Sequence, residues 1–233
     1  MKNFLVVIIL LLTSCVNSPV HNKNVFFKGT FLKIEKRIIL SACNPVRQDQ
    51  CITKTYESSA SSFLIKNTKE KSFLLTAAHV CKNNFGKLTY LPKFKAHIKF
   101  YGINLKNQKF NYNIVALNNM YDLCIVSTRR MNAPAYQIAA FNPDPGEQIY
   151  NIAAPVGIFE KDIVPLFRGL YSGTAHGRSI FSLPATGGSS GSPILDSGGR
   201  VIGVVSAVTK GFNHIVLSPT LQQIKEFIKN EKL

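Results

Sequence analysis

Residues 187–193 read Gly-Gly-Ser-Ser-Gly-Ser-Pro, and this run restricts the fold more than any other part of the chain. Seven small residues in succession build neither a core strand nor a stable helix. Glycine gives up the most backbone entropy on ordering, and Pro193 has no N–H to donate. In isolation such a run is a Gly/Ser surface linker. Its flanks argue otherwise: Ile194-Leu195 and Arg200-Val201-Ile202-Gly203-Val204-Val205 read as strand, turn and strand. The run is therefore a tight loop between buried strands, a place where backbone N–H groups can be aimed at a ligand.

Short β-rich runs separated by turn residues fill the chain on both sides of this loop. Strands are predicted near 30–40, 52–65, 72–77, 96–101, 108–117 and 123–127. A second series follows near 147–153, 163–175, 179–183, 193–196, 200–208 and 213–218. The segment 128–146, richer in Ala, Pro and Asn, connects the two. Strands at this spacing make a closed barrel or a sandwich. After Pro219, Leu221, Ile224, Phe227 and Ile228 recur at helical spacing with Lys225, Glu226, Lys229 and Asn230 opposite, which predicts a C-terminal helix over about 219–231. The 233 residues, 45% hydrophobic and 17% charged, suit one domain or a pair of small subdomains.

Two chemistries fit the loop. Gly187-x-Ser189-x-Gly191 matches a nucleophile elbow, but that elbow needs a helix directly after the serine and then an acid and a histidine downstream. Pro193 and Gly198-Gly199 break such a helix, and only Asp196 and His214 follow. In the other frame, Gly188-x-Ser190-Gly191-x-Pro193, the partners lie upstream. Phe73-Leu74-Leu75-Thr76-Ala77-Ala78-His79 is an apolar strand ending in a histidine, and Tyr121-Asp122-Leu123-Cys124-Ile125-Val126 is a buried strand opened by an aspartate. A buried carboxylate needs donors, and an imidazole N–H is one. Taken alone, His79 would be an ordinary strand-end histidine. The order His79, Asp122, Ser190 resembles the chymotrypsin-like (trypsin-fold) serine proteases.

That resemblance covers about residues 28–231 and is nearest to bacterial HtrA-type proteases and to small trypsin-like peptidases of bacteria and phages. It implies an all-β fold of two six-stranded antiparallel barrels, about 28–130 and about 145–218, closed by the helix. It further implies His79 as general base, Asp122 as its orienter and Ser190 as nucleophile, with the N–H groups of Gly188 and Ser190 as the oxyanion hole. Ser172-Gly173-Thr174-Ala175 and Val201 to Val208 resemble the strands two before and one after the nucleophile. The primary pocket falls on Pro184-Ala185-Thr186, Ser206-Ala207-Val208 and the strand near His214. Pro184 stands where trypsin has an acidic pocket base, so cleavage after Lys or Arg is not expected. Val208 narrows the mouth toward small apolar residues; His214 offers the alternative of Glu or Gln. Ser189 replaces the aspartate with which trypsin-like zymogens bind a freed amine, so activation by N-terminal insertion is not expected. An inactive binding lipoprotein of the same fold and an esterase with the same triad are the competing functions. His21, His97 and His176 have no assigned partner.

The N-terminus reads Met-Lys-Asn, then wholly apolar from Phe4 to Leu12, then Thr13-Ser14-Cys15. This is an export signal, too short for a bilayer span of about 20 residues. Leu12 to Cys15 resembles a bacterial lipobox, which implies a signal peptide over 1–14, a lipid on Cys15 and a tether over 15–27. The protein is then expected on a bacterial membrane, at its periplasmic or cell-surface face. With Cys15 set aside, four of the five cysteines remain, which allows three pairings. Cys43 and Cys51 flank a hairpin-like tip; Cys81 and Cys124 each lie two residues after His79 and Asp122. Pairing within each couple is expected, against the alternative of a zinc site at His79, Cys81 and Cys124, which lacks a CxxC. No metal or cofactor is expected. The net charge of +16 is spread along the chain with no aromatic-basic motif, so it reads as a solvated basic surface with weak affinity for anionic lipid rather than a nucleic-acid site. The chain stops after one helix with no PDZ-like module, and a monomer acting on protein or peptide substrates is expected.

Overall fold

The structure, a computed structural model, describes residues 29–47, 49–83, 85 and 89–233. The signal segment, Cys15, His21 and the tether lie outside the described residues.

Among the described residues, fourteen strands form two seven-stranded antiparallel sheets. The first holds β1 (Phe31–Cys43), β2 (Cys51–Asn67), β3 (Lys71–Ala77), β4 (Lys95–Asn104), β5 (Lys109–Asn111), β6 (Asn113–Asn118) and β7 (Leu123–Arg129). The second holds β8 (Gln148–Ile152), β9 (Leu166–Ala175), β10 (Arg178–Ser182), β11 (Pro193–Leu195), β12 (Val201–Val204), β13 (Ala207–Thr209) and β14 (Phe212–Pro219). A single helical turn, α1 (Ala78–Cys81), follows β3, and α2 (Leu221–Asn230) ends the fold.

Twelve runs become fourteen strands because one run in each half is bent. In the order β5-β4-β1-β2-β3-β7-β6, the two edge strands are consecutive in the chain, separated only by Tyr112. Up to Asn111 the run pairs with β4, and from Asn113 it pairs with β7, so one continuous segment joins the two edges and closes the sheet. Tyr112 makes the corner. It is buried, its hydroxyl meets Ser62 Oγ at 2.9 Å, and its ring lies where any side chain at position 102 would be, which requires Gly102. The second half, ordered β12-β11-β8-β9-β10-β14-β13, closes in the same way, with Val205-Ser206 between its edge strands. The antiparallel double barrel expected from the sequence is thus present.

Alternation along the strands sorts side chains into three cores. Leu32, Leu64, Leu74 and Val126 fill the first barrel. Ile149, Phe181, Ile194, Ile202 and Val216 fill the second. Their chain neighbours Phe31, Phe63, Leu75, Ile125, Tyr150, Leu195 and Val201 point the other way, into a third cluster shared by both barrels. Doublets such as Leu74-Leu75, Ile125-Val126 and Ile194-Leu195 therefore supply both faces of doubly buried strands. Ile224 and Phe227 of α2 enter the shared cluster. The helix begins two residues later than the sequence suggests. Pro219 ends β14, and Thr220 is the N-cap: its hydroxyl accepts from the Gln223 N–H at 3.2 Å while the Gln223 side chain accepts from the Thr220 N–H at 2.9 Å.

β1 and β2 pair from Phe31↔Phe63 out to Cys43↔Cys51, and residues 51–58 are exposed, so the hairpin projects beyond the barrel as an arm. The arm is closed by a Cys43–Cys51 disulfide, and Cys81 pairs with Cys124, as expected. The first bridge closes a short loop on the arm; the second ties α1 to β7. Replacing Cys43 and Cys51 together by Ala should lower stability in urea by about 2 kcal/mol with little effect on catalysis. Replacing Cys81 and Cys124 should in addition loosen α1, which carries His79.

Candidate active site

β3 and β7 run side by side to Ala77↔Leu123, and the Ala78 N–H donates to the Asp122 carbonyl at 3.0 Å. This register brings His79, just past the end of β3, against Asp122, just before β7. Asp122 adopts a left-handed φ of 55°, which aspartate tolerates better than most residues, and its carboxylate faces α1. His79 Nδ1 lies 2.9 Å from Oδ2 and 3.1 Å from Oδ1, and the His79 backbone N–H donates to Oδ1 at 2.9 Å. Ser206, at the bend that closes the second barrel, donates its hydroxyl to Oδ2 at 2.6 Å. A carboxylate only accepts, so Nδ1 carries the ring hydrogen and Nε2 is left as the acceptor. Burial pushes the Asp122 pKa up. Hydrogen bonds from the His79 ring, the Ser206 hydroxyl and the His79 N–H outweigh it, and the carboxyl titrates below the ordinary aspartate range.

The turn that carries His79 is held from below. Lys36 of β1 is buried, and its ammonium donates to the carbonyls of Val80 at 2.8 Å and Lys82 at 2.7 Å while lying 5.5 Å from the Phe100 ring centre. Burial lowers its pKa. A cation at the C-terminal carbonyls of a helical turn is favourably placed.

Ser190 sits in the loop between β10 and β11, and the peptide groups there are fixed one by one. Thr186 to Ser189 form a turn closed by Ser189 N–H to Thr186 O at 2.9 Å, with Gly188 at φ 94° as in a type II turn. The Gly187 carbonyl accepts from the Val156 N–H at 2.6 Å, the Ser189 carbonyl from the Ser192 N–H at 3.0 Å and the Ser190 carbonyl from the Ser61 N–H at 2.8 Å. The Gly188 carbonyl accepts from the Ser61 hydroxyl at 2.8 Å. Across a trans peptide the N–H points opposite to the C=O. Fixing four carbonyls therefore fixes the N–H groups of residues 188 to 191. Those of Ser189 and Gly191 donate to Thr186 and Val205. Those of Gly188 and Ser190 have no acceptor among the described residues. Glycine is required at two positions: a Cβ on Gly188 would overlap the Ala154 carbonyl, and one on Gly191 would overlap Thr76 and the Ser61 carbonyl. Gly191 packs against Thr76 and Ala77, so the Ser190 loop lies against the strand that leads into His79. Ser190 is half-buried, whereas Ser189 is fully buried.

The segments expected to build the pocket are neighbours. Leu183 and Ala185 donate to the carbonyls of His214 and Asn213, each at 2.9 Å, and β13 pairs with β14 through Ala207↔Leu217 and Val208↔Val216. Pro184, Ala185, Thr186, Ala207 and Val208 thus lie around the β13–β14 end of the second barrel. His214 is exposed, its ring 5.4 Å from that of Phe212. Ser206, read from the sequence as a pocket residue, turns its hydroxyl to Asp122. His97 and His176 are placed on β4 and in the β9–β10 turn. No group of three or more metal-ligating side chains occurs among the described residues, and Cys81 and Cys124 are bridged.

Sequence reasoning missed three contributors. Ser61 has one legible signal, a serine doublet just ahead of the apolar Phe63-Leu64-Ile65, where a buried hydroxyl must find partners. Lys36 and Val156 carry no signal in their own neighbourhoods. Val156 holds φ 46° with its side chain exposed, a strained backbone for a β-branched residue, while its N–H serves the Gly187 carbonyl.

Two closed antiparallel barrels, with an imidazole–carboxylate pair on one and a glycine-framed serine loop on the other, define the trypsin-like class of folds. The chain belongs to the trypsin-like peptidase domain family, whose model matches residues 60–204, well over half of its length. Among solved structures it is similar to the serine endoprotease from Yersinia pestis, at 13% identity and a TM-score of 0.60 over 83% of this chain. The match spans 62% of the Yersinia chain, so this protein resembles part of it in fold. No curated protein matches the sequence.

Two outcomes check the site. Ser206→Ala should raise the Asp122 pKa. A carboxyl with a depressed folded pKa adds stability that is complete above its unfolded value near 3.8 and is lost as pH falls through the folded value. The stability gap between wild type and Ser206→Ala should then be full at neutral pH and close in acid, as read from urea midpoints across pH. Val156→Gly should raise stability by about 1 kcal/mol, read from urea midpoints, because relief of the left-handed strain outweighs the added freedom of glycine.

Proposed function

We propose that this protein is a serine endopeptidase that forms an acyl-enzyme on Ser190. The observation that carries the reading is the pair of N–H groups, Gly188 and Ser190, that have no acceptor among the described residues, on a loop whose carbonyls at 187 to 190 are all held. Free donors on a rigid frame are what stabilise an oxyanion without reorganisation, and removing one such donor typically costs about 3–4 kcal/mol in the barrier. A serine hydroxyl is a weak nucleophile until a base takes its proton. His79 Nε2 takes it as Ser190 Oγ attacks the scissile carbonyl, and the same nitrogen returns it to the leaving amine. Asp122 holds the tautomer and stabilises the imidazolium; Ser206 holds Asp122. Water then repeats the sequence on the ester and frees Ser190.

Substrate preference follows from the pocket segments. Pro184 and Val208 favour a small uncharged residue before the scissile bond, and the exposure of His214 beside Phe212 supports a surface role over one at the pocket base. Ser189 occupies the place of the zymogen aspartate but is fully buried, and its N–H closes the 186–189 turn. Val156 and Ser61 also hold the loop from neighbouring segments, so the protein is active without insertion of a freed N-terminus. The export signal and the lipobox-like Leu12 to Cys15 support a lipid-anchored, monomeric enzyme facing the periplasm or cell surface and acting on proteins there.

A fluorophosphonate probe tests the chemistry. Labelling should vanish in Ser190→Ala and persist in Ser189→Ala, and Asp122→Asn should lower kcat about 10⁴-fold. Absence of labelling in the wild type would favour an inactive binding protein, and turnover of esters but not of peptides would favour an esterase. Protein cleaved only before Cys15 should be active; complete latency until a second cleavage would reject the activation reading. Cys15→Ala should release the protein from the membrane fraction.

A further inference from the structure

Ser61 lies on β2 of the first barrel, fully buried, and is not among the residues that the sequence assigns to the chemistry. All of its polar groups are engaged. Its N–H donates to the Ser190 carbonyl at 2.8 Å, and its carbonyl accepts from the Thr76 hydroxyl at 2.8 Å. Its hydroxyl donates to the Gly188 carbonyl at 2.8 Å and accepts from the Ala154 N–H at 3.2 Å. One side chain from the first barrel therefore links the oxyanion turn of the second barrel to the segment after β8.

We infer that the Ser61 hydroxyl is a positioning group for the oxyanion hole: it anchors the Gly188–Ser189 peptide directly and, through the Ala154 N–H, the segment whose Val156 N–H sets the Gly187 carbonyl and with it the Gly188 N–H. The inference rests on the proposed role of the Gly188 and Ser190 N–H groups. Gly187 and Gly188 are the least restricted residues of the loop. Their turn is held on one side by the Val156 N–H on the Gly187 carbonyl and on the other by Ser61 on the Gly188 carbonyl. Replacing Ser61 by alanine leaves the Gly188 carbonyl and the Ala154 N–H without their partner in a buried setting, where an unmet polar group is costly. The 188–189 peptide and the segment from Ala154 to Val156 then shift to recover partners, and the Gly188 N–H leaves the line it holds in the intact loop. The backbone bond from Ser61 N–H to Ser190 O survives the substitution, so the nucleophile stays in place while the oxyanion donor does not. This separates the role of the hydroxyl from simple docking of the loop.

The test is steady-state kinetics of the full chain with Ser61→Ala, on a peptide substrate found by cleavage profiling and with active sites counted by fluorophosphonate titration. Per titrated site, kcat should fall about 10- to 100-fold while KM stays within about threefold, because an oxyanion donor acts on the transition state. Inhibition by a peptidyl trifluoromethyl ketone, which forms the tetrahedral adduct, should weaken by the same factor as kcat. Ser61→Cys, which keeps the shape and weakens the donor, should lie between the two, and it carries the test if Ser61→Ala does not fold. A variant with unchanged kcat per site, or with KM raised in step with a lower active fraction, overturns the inference and leaves the protease reading standing. A wild type that neither labels nor cleaves overturns both.

Discussion

The structure depends on one charged group at the seam between the barrels. Asp122 opens a buried strand, and a carboxylate there is tolerable only when it is fully supplied with donors. Three come from two places: the ring and backbone of His79 on α1, and the hydroxyl of Ser206 on the bend that closes the second barrel. Meeting the needs of this carboxylate therefore orients the imidazole and docks the second barrel in one arrangement. Burial alone would raise its pKa; the donors reverse that and hold it below the ordinary aspartate range.

Closure of each barrel by a bent strand is what brings these parts together. In the first barrel, the bend at Tyr112 lets one run serve both β4 and β7, which leaves β7 beside β3 and Asp122 beside His79. In the second, the bend at Val205-Ser206 receives the Gly191 N–H on the Val205 carbonyl and sends the Ser206 hydroxyl to Asp122. The same irregularities that split twelve runs into fourteen strands are thus the points where the site is assembled.

Much of this was legible in the sequence. Short β-rich runs separated by turn residues mark the strands, and the Gly/Ser run between two of them marks the loop. His79 and Asp122 each combine a reactive group with a strand end, and Ser190 lies within the Gly/Ser run. The two disulfides followed from cysteines next to features already placed. What escaped were residues whose roles are set by tertiary contact alone. Lys36 reads as one more surface lysine in a chain with 28 basic residues, yet it is buried under α1. The sequence places Ser206 on a strand expected to line the pocket but carries no signal for its bond to Asp122, which the strand bend sets. Val156 in a left-handed conformation contradicts local preference, and its reason lies in the Gly187 carbonyl across the loop.

The central claim is spatial: the imidazole, the hydroxyl of Ser190 and two backbone N–H groups surround a single reacting centre. A crystal structure of the protein after reaction with a peptidyl phosphonate tests it most directly. The arrangement requires phosphorus on Ser190 Oγ, its free oxygen within hydrogen-bond reach of the Gly188 and Ser190 N–H groups, and His79 Nε2 on the leaving-group side. Phosphorus on another residue, or an oxygen turned to solvent with both N–H groups idle, would contradict it.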